Sequence, residues 1–324
     1  MASAPTVSGS ARAVPRRPSR TREARPRLRV KRETAVAMLF LLPSFIGFVA
    51  FYAYPSLRGL YLSFTDFNLL RNSGEWIGLD NYKALFADAL FWNALKVTFE
   101  YVIINIGIQT VLALAIAVLM HRLTRSVAVR GILVLPWLIP NVVLALLWMW
   151  MLDPNLGIVN HYLNLVGIPS QGFLGDENQV IPTIAGINIW RNMGYTALLL
   201  FGGLVMIPKN YYEAASLDGA SEWHMFRTIT LPLLRPVLAL VLVVTVVGSF
   251  QVFDTVAIAT GGLGGSPGGP GNSSRVLYLY IFQQAFEFNE LGYAAALSVA
   301  LIALLVFVAA IKMRLLRAGE SDLA

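Results

Sequence analysis

Six long apolar segments constrain the fold of this chain more than any other feature. Each is at least as long as the about 20 apolar residues that a helix needs to cross the hydrocarbon core of a bilayer. They cover approximately residues 35–62, 97–120, 131–152, 181–207, 233–260 and 292–315. One such segment alone could be a buried helix of a soluble domain. Six in succession, each apolar on all sides, predict an all-α integral membrane protein with six transmembrane helices.

Composition supports this class and excludes several others. Apolar residues make up 56% of the chain and charged residues only 13%, against about 25% charged residues in ordinary soluble domains. The sequence contains no cysteine, which excludes a disulfide scaffold, Cys-ligated zinc, iron-sulfur clusters and thiol catalysis. The first apolar segment is too long for the core of a cleaved secretory signal, so we predict an uncleaved anchor.

The positive charge of the chain is concentrated in its N-terminal tail. Residues 1–33 hold ten of the 25 Lys and Arg and carry a net charge of +8, so the rest of the chain has a net charge of −1. The tail is rich in Arg, Pro, Ser and Ala with almost no large apolar residues, which predicts disorder. An arginine-rich arm could bind RNA, but a role in fixing membrane orientation explains the same charge.

Orientation follows from the Lys and Arg residues between the apolar segments, since cytoplasmic segments retain them. If the tail is inside, the four connections on its side hold 19 of the 25 Lys and Arg, and the three alternate connections hold four. The first group comprises the tail, residues 121–130, residues 208–236 and the C-terminus. We therefore predict six crossings with both the N- and C-termini cytoplasmic.

The sequence contains no motif for ATP binding or metal catalysis. The glycine-rich run from Gly261 to Gly271 lacks the Gly-Lys-Ser/Thr ending of a phosphate-binding loop, and we predict a flexible external loop there. His121, His161 and His224 are followed by Arg, Tyr and Met, so no His-Glu-x-x-His motif is present. These features predict a non-catalytic chain with no cofactor or metal of its own.

The connection between the fourth and fifth segments has readable local structure. Pro208 suits the first turn of a helix, which the sequence predicts to continue over residues 211–217. Gly219 stands where a left-handed C-cap would end this helix. Ser221 can cap a second short helix, which Pro232 would stop. The small residues and aromatic side chains of this loop suit either docking to a partner or lying on lipid headgroups as an interfacial helix pair.

The same loop carries a family resemblance. Glu213-Ala214-Ala215, Gly219, Ile229 and Leu231-Pro232 stand at the spacing of the EAA loop, so the chain resembles the permeases of ABC importers. Other segments resemble the carbohydrate branch of that family, typified by the maltose and glycerol-phosphate systems. They are Gly78-Leu79-Asp80-Asn81-Tyr82, Leu135-Pro136-Trp137, Gly157, Asn160, Gly261-Gly262 and Gly292-Tyr293-Ala294-Ala295. Two features depart from the family pattern: a longer glycine-rich insertion and the lack of a large periplasmic domain.

The resemblance implies a type I ABC importer transmembrane-domain fold in the plasma membrane and a division of labour. A separate ATPase dimer would bind ATP and Mg, a second homologous permease would complete the pathway, and an extracytoplasmic solute-binding protein would deliver a carbohydrate. The ATPase-coupling residues that it implies are Glu213, Ala214, Ala215, Asp218, Gly219, Ile229, Leu231 and Pro232. The predicted layout is a tail (1–33), a first helix with an external loop (34–95), a core (96–317) containing the coupling loop 208–232, and a tail (318–324).

Polar residues inside a membrane are costly and usually face a cavity or one another. The predicted substrate pathway consists of Asn188, Arg191, Asn192, Tyr195, Ser249, Gln251 and Asp254. Arg191 and Asp254 could instead form a structural ion pair. Trp190 and the pair Trp148 and Trp150 could be interfacial belt residues or sugar-stacking platforms.

Two further functions compete with that of a permease subunit. A free-standing secondary transporter of a small polar solute would need coupling-ion acids within the spans and a repeated half. Asp254 is the only carboxylate well inside a span, and no repeat is visible. An integral-membrane enzyme would need a nucleophile, base or metal set that the sequence lacks. A permease subunit acting with partners therefore fits best.

Overall fold

A computed structural model of the protein describes residues 32–123, 126–261 and 268–318. Most of the predicted N-terminal tail, the centre of the glycine-rich run and residues 319–324 lie outside these ranges. The described residues form 14 α-helices. They are α1 (Arg32–Phe48), α2 (Tyr54–Leu62), α3 (Asp80–Ala87), α4 (Ala89–Leu123), α5 (Val127–Val134), α6 (Asn141–Met151), α7 (Ile158–Leu165), α8 (Val180–Val205), α9 (Lys209–Leu217), α10 (Glu222–Met225), α11 (Leu231–Phe250), α12 (Asp254–Gly261), α13 (Leu277–Phe282) and α14 (Leu291–Ala318).

The chain divides after Pro55 into two compact units. The described part of the first unit is α1, a π-helical turn over Val49–Ala53 and the start of α2. Most of its described side chains are exposed, although they are large and apolar, as Phe40 and Phe51 illustrate at 78% exposure each. Such a surface is expected of a helix that is solvated by lipid or by other membrane helices.

Four helical stretches are long and apolar enough to cross a membrane. They are Val36–Leu62, Ala89–Leu123, Glu222–Gly261 and Leu291–Ile311. The pair Val127–Leu138 and Asn141–Met151 would make a fifth if it forms one bent crossing. The remaining predicted crossing corresponds to α8, which is 26 residues long but contains several polar residues. The all-α class is therefore confirmed for the described residues, while six crossings with both ends inside stays a prediction.

The predicted third span is not a straight helix. Its two halves, α5 and α6, are bent by 89° at a short break. A 3₁₀ turn over Leu135–Leu138 follows α5, and Pro140 precedes α6 in an extended conformation. The break arises because Pro136 and Pro140 cannot donate the backbone hydrogen bonds that would continue the helix.

The core of the second unit lies where α4, α8 and α11 pack together. Ala113, Ala117 and Ala197 are fully buried there beside Leu234, and such small side chains let membrane helices approach closely. A Cβ on Gly194 of α8 would overlap the backbone carbonyl of the residue at the end of α5. That close approach therefore requires a glycine at position 194.

A carboxylate joins three elements on the predicted external side. Oδ2 of Asp88, just before α4, accepts hydrogen bonds from the hydroxyls of Tyr280 (2.5 Å) and Tyr293 (2.8 Å). Burial alone would raise the pKa of Asp88, but these bonds and two backbone amides together lower the pKa below its ordinary 3.8. Burial and the neighbouring carboxylate raise the pKa of Tyr280 to about 12, so its hydroxyl remains a donor. We call these three residues the Asp88 clasp.

Candidate functional site

A cavity of about 300 Å³ lies among α4, α8, α11 and α12. All seven residues of the predicted substrate pathway line it: Asn188, Arg191, Asn192, Tyr195, Ser249, Gln251 and Asp254. Four come from α8, and the other three are Ser249 of α11, Gln251 between α11 and α12, and Asp254 of α12. The tertiary fold thus brings the two sequence-distant groups around one space, and whether they contact substrate stays a prediction.

The polar side chains that α8 contributes to the cavity are held by hydrogen bonds to α8 itself and to α12. The side-chain amide of Asn188 donates to the Ile184 carbonyl at 3.1 Å, and its Oδ1 accepts from the Thr255 hydroxyl at 3.1 Å. Asn192 donates to the Asn188 carbonyl at 2.8 Å. Since Asn188 is only 5% exposed, these bonds offset much of the cost of burying an amide in a membrane helix.

Arg191 and Asp254 line the same cavity but do not form an ion pair. Nε of Arg191 donates to the Ile139 carbonyl at 3.2 Å, in the break between α5 and α6. Oδ2 of Asp254 accepts from the amide of Asn141 at 2.9 Å. Each charged side chain thus forms a hydrogen bond with the third span region. This arrangement favours the cavity-lining interpretation over the structural ion pair.

The predicted fifth span is interrupted at the cavity. Helix α11 ends at Phe250 and α12 begins at Asp254, so residues 251–253 are non-helical. Non-helical backbone at membrane depth is tolerated only where it is buried in protein or lines a water-accessible space. Gln251 lies in this break and Asp254 directly follows it, and both line the cavity.

None of the three tryptophans that the sequence suggested as stacking platforms lines the cavity. Trp137 and Tyr195 line it and stack on each other with ring centroids 4.5 Å apart. Trp148 and Trp190 instead pack edge to face at 5.7 Å in a separate apolar cluster. Trp150 is 69% exposed, which suits a belt position.

Reasoning from the sequence missed every cavity residue on α4 and in the region of the third span. They are Tyr101, Asn105 and Gln109 on α4, and Trp137 and Asn141 in the region of the third span. A signal was available for the α4 group, because residues four apart lie on one face of a helix. The average hydropathy of the second span concealed that signal.

The first helix of the 208–232 loop ends as the sequence predicts. Helix α9 ends at Leu217, and Gly219 has a φ of +78°. The amide of Gly219 donates to the Ser216 carbonyl and that of Ala220 to the Ala215 carbonyl, at 3.1 and 3.0 Å. This pair of bonds is the Schellman arrangement, which requires a left-handed residue at this position.

The start and the end of the loop differ from the prediction. Pro208 precedes α9 in an extended conformation instead of forming its first turn. Ser221 caps the second helix by accepting from the His224 amide, but α10 is only four residues long. Pro232 does not stop it: a π-helical turn over Phe226–Thr230 leads directly into α11, and Pro232 lies in its first turn.

One side-chain contact attaches the loop to the helix bundle, and a second joins the two ends of the loop. Nη1 of Arg122, at the end of α4, forms an ion pair with Oε2 of Glu222 at 2.5 Å. The hydroxyls of Tyr212 and Thr230 lie 2.9 Å apart and join α9 to the start of α11. Between the loop and the helix ends lies a second cavity of about 350 Å³.

Helix α9 presents no buried residue. Among the predicted coupling residues, Glu213, Ala214, Asp218 and Gly219 are exposed, and Ala215, Ile229, Leu231 and Pro232 are partly buried. Large apolar side chains are exposed beside them: Leu217 at 89%, Trp223 at 70% and Tyr211 at 52%. Exposed apolar area of this kind around small residues suits a docking surface.

Comparison with known families and proteins gives consistent results. Residues 109–318 match the family described as binding-protein-dependent transport system inner membrane component. A sulfoquinovosyl glycerol transport system permease protein of Agrobacterium fabrum is 34% identical over 289 residues, covering 88% of this chain and 91% of the relative. A trehalose/maltose transport system permease protein of Thermococcus litoralis is 29% identical over 269 residues, covering 83% and 89%.

A solved structure has the same fold. It is a chain from the crystal structure of a bacterial ABC transporter involved in the import of the acidic polysaccharide alginate. The TM-score is 0.76 at 25% sequence identity, and the match covers 88% of this chain and 96% of the other.

Proposed function

The chain belongs to the family of binding-protein-dependent transport system inner membrane components, and from this premise we propose that it carries a sugar or sugar-like solute across the membrane. It is a multi-pass inner-membrane protein and a permease rather than a known type of enzyme. Its partners would be a second homologous permease, an ATPase dimer that binds ATP and Mg, and an extracytoplasmic solute-binding protein.

The polar cavity is the observation that carries this proposal. Amide, hydroxyl and charged side chains converge on a space of about 300 Å³, with Arg191 and Asp254 contributing opposite charges. Such groups can donate to and accept from the many hydroxyls of a sugar while adding little net charge. Trp137 and Tyr195 supply aromatic surface in the same cavity, and aromatic rings suit the apolar faces of sugars.

The 208–232 loop supplies the second half of the proposal. Its first helix would dock as a coupling helix on a cytoplasmic ATPase, with Glu213, Ala214, Ala215, Asp218 and Gly219 at the contact. Ile229, Leu231 and Pro232 would pass movement on to α11, because α10 and the π-helical turn continue into that helix without a break.

The orientation of the loop can be tested directly in this chain. The natural sequence has no cysteine, so Trp223→Cys introduces a single reactive thiol on an exposed position. A membrane-impermeant maleimide should label it from the cytoplasmic side of inverted vesicles and leave it unlabelled in intact cells. Labelling from the outside would overturn six crossings with an internal loop.

The transport function is tested by reconstitution. The tagged full chain should copurify with an ATPase, and the complex in proteoliposomes should accumulate at least one sugar from a panel of maltose, trehalose, sulfoquinovosyl glycerol and alginate oligosaccharides. Accumulation should require ATP and the solute-binding protein. Uptake by the purified chain alone, without an ATPase, would instead identify a free-standing secondary transporter.

A further inference from the structure

Helix α4 contributes three polar side chains to the cavity. Tyr101, Asn105 and Gln109 are spaced four residues apart and are each 2 to 3% exposed. Two buried amides in the mostly apolar middle of a membrane helix are costly. Their retention on the cavity side indicates a role beyond filling the interface between helices.

The two amides form a hydrogen-bonded chain across three helices. Nδ2 of Asn105 donates to the Ser249 hydroxyl of α11 at 2.9 Å and to Oε1 of Gln109 at 3.2 Å. Nε2 of Gln109 donates to the Thr196 hydroxyl of α8 at 2.9 Å. We call these four residues the amide relay. All of them are less than 5% exposed.

One end of the amide relay, Ser249, belongs to the proposed substrate pathway, and the other end, Thr196, adjoins it. Thr196 follows Tyr195 directly, and Ser249 lies two residues before Gln251, where α11 breaks. Oδ1 of Asn105 is buried and has no hydrogen-bond partner among the described residues. Because both hydrogens that bond within the relay come from Nδ2, the orientation of this amide is fixed by Ser249 and Gln109.

We propose that Asn105 and Gln109 are positioning residues for the substrate pathway. They join α4 to Thr196 of α8 and to Ser249 near the end of α11. These bonds fix the separation of α8 and α11, so that Tyr195 and Asp254 can contact the same substrate molecule. The proposal rests on the transport function assigned to the cavity. If the relay only filled space between the helices, apolar side chains of equal size could replace it without moving them.

Distance measurements test the geometric part without any sugar. In the assembled complex, spin labels on Leu198→Cys of α8 and Leu240→Cys of α11 should give one narrow distance distribution. Asn105→Leu and Gln109→Met, which keep the side-chain size and remove the amides, should broaden or shift it. Thr260→Val is the matched control, because the hydroxyl of Thr260 donates only to its own helix at Val256. Unchanged distributions in both amide variants would overturn the proposal.

Uptake kinetics test the functional part, with whichever of the four panel sugars the unmodified complex accumulates. Thr196→Val removes the acceptor of Gln109 and should raise the half-saturating concentration about threefold, the size expected for one interhelical hydrogen bond in a membrane. Thr196→Ser keeps the acceptor, so its half-saturating concentration should equal that of the unmodified complex. The maximal uptake rate should be unchanged in both Thr196 variants. Adding Thr196→Val to Gln109→Met should have no effect beyond that of Gln109→Met alone, because Gln109→Met already removes the bond to Thr196. Equal affinities in the Val and Ser variants would overturn the proposal.

The distance measurements and the uptake kinetics together distinguish a failure of this proposal from a failure of the proposed transport function. If the unmodified complex accumulates no panel sugar, the proposed function fails, and the spin-label distances still decide whether the relay sets the helix separation. If uptake is normal and the distances respond but the affinities do not, the relay is structural and the positioning role is wrong.

Discussion

The cavity and the 208–232 loop handle polar and apolar surface in opposite ways. In the cavity, buried or partly buried polar side chains bond to the chain itself, as Asn188 to Thr255 and Asp254 to Asn141 illustrate. In the loop, apolar side chains such as Leu217 and Trp223 are exposed. The cavity is therefore largely organised by this chain, whereas the loop presents a surface that a partner would complete. Variants in the loop should act on coupling, and variants in the cavity on affinity.

The largest effect is expected at Gly219. Replacing it with Leu strains a backbone at φ +78°, at a cost of about 1 to 2 kcal/mol, and adds bulk to the docking surface. Gly219→Leu should lower uptake and sugar-stimulated ATP hydrolysis on the order of 30-fold, as for a docking hot spot, while membrane insertion persists.

The control for that variant is Gly167→Leu. Gly167 has a φ of +81° and equally open surroundings, but lies in a predicted external connection. The substitution Gly167→Leu therefore imposes the same backbone strain but changes no residue of the 208–232 loop. Normal stimulation of ATP hydrolysis in Gly219→Leu, or an equal loss in Gly167→Leu, would contradict the docking role.

Charge reversal in the cavity should have the next largest effect. Arg191→Asp and Asp254→Arg should each reduce transport about tenfold, because each loses a hydrogen bond to its own partner. Since no ion pair joins the two residues, the double variant should stay as low as the singles. Substrate affinity should change, and basal ATP hydrolysis in the complex should not. Recovery of uptake in the double variant would show that the two charges pair during transport.

The Asp88 clasp belongs to neither region and should affect stability alone. Asp88→Asn keeps the shape but removes the charge that accepts from Tyr280 and Tyr293, and should cost about 1.5 kcal/mol of unfolding free energy in detergent. Tyr280→Phe should cost less. Tyr278→Phe is the control, because Tyr278 takes no part in the clasp. Loss of coupling at normal stability in Asp88→Asn would show that the clasp takes part in transport.

The pH dependence of the clasp has a definite sign. Because folding lowers the pKa of Asp88 below 3.8, its contribution is fully present above that value and declines as the pH falls through the folded pKa. The stability difference between the unmodified protein and Asp88→Asn should thus be constant from about pH 5 to 8 and shrink below about pH 4. A difference that shrank near neutral pH would rule out the lowered pKa.

The smallest effect is expected at the ion pair between Arg122 and Glu222. Glu222 has 70% of its side chain exposed, and exposed pairs contribute about 0 to 1 kcal/mol. Glu222→Gln should therefore change uptake less than about threefold, and higher salt should reduce the difference further. A loss as large as that of Gly219→Leu would mean that this ion pair, and not α9 alone, transmits the movement of the loop.

Local features were predictable because they depend on few neighbouring residues. The Schellman end of α9 and the cap at Ser221 involve atoms within five residues of one another, so Gly219 and Ser221 sufficed to predict them. Pro232 was misinterpreted because a proline is equally compatible with the end of one helix and the first turn of the next. Only the path of the chain from α10 into α11 distinguishes the two.

The sequence by itself determined the apolar helices, the capped loop between two of them and the polar residue types of the cavity, because hydropathy and capping act over one helix or one turn. The tertiary structure alone decided that α4 lines the cavity, that the third span bends by 89°, and that Arg191 and Asp254 bond to the third span region instead of to each other. The physical reason is that a buried polar group takes whichever partner the packing of helices brings within about 3 Å. Residues as far apart in the sequence as Asn105 and Ser249 become neighbours only after that packing.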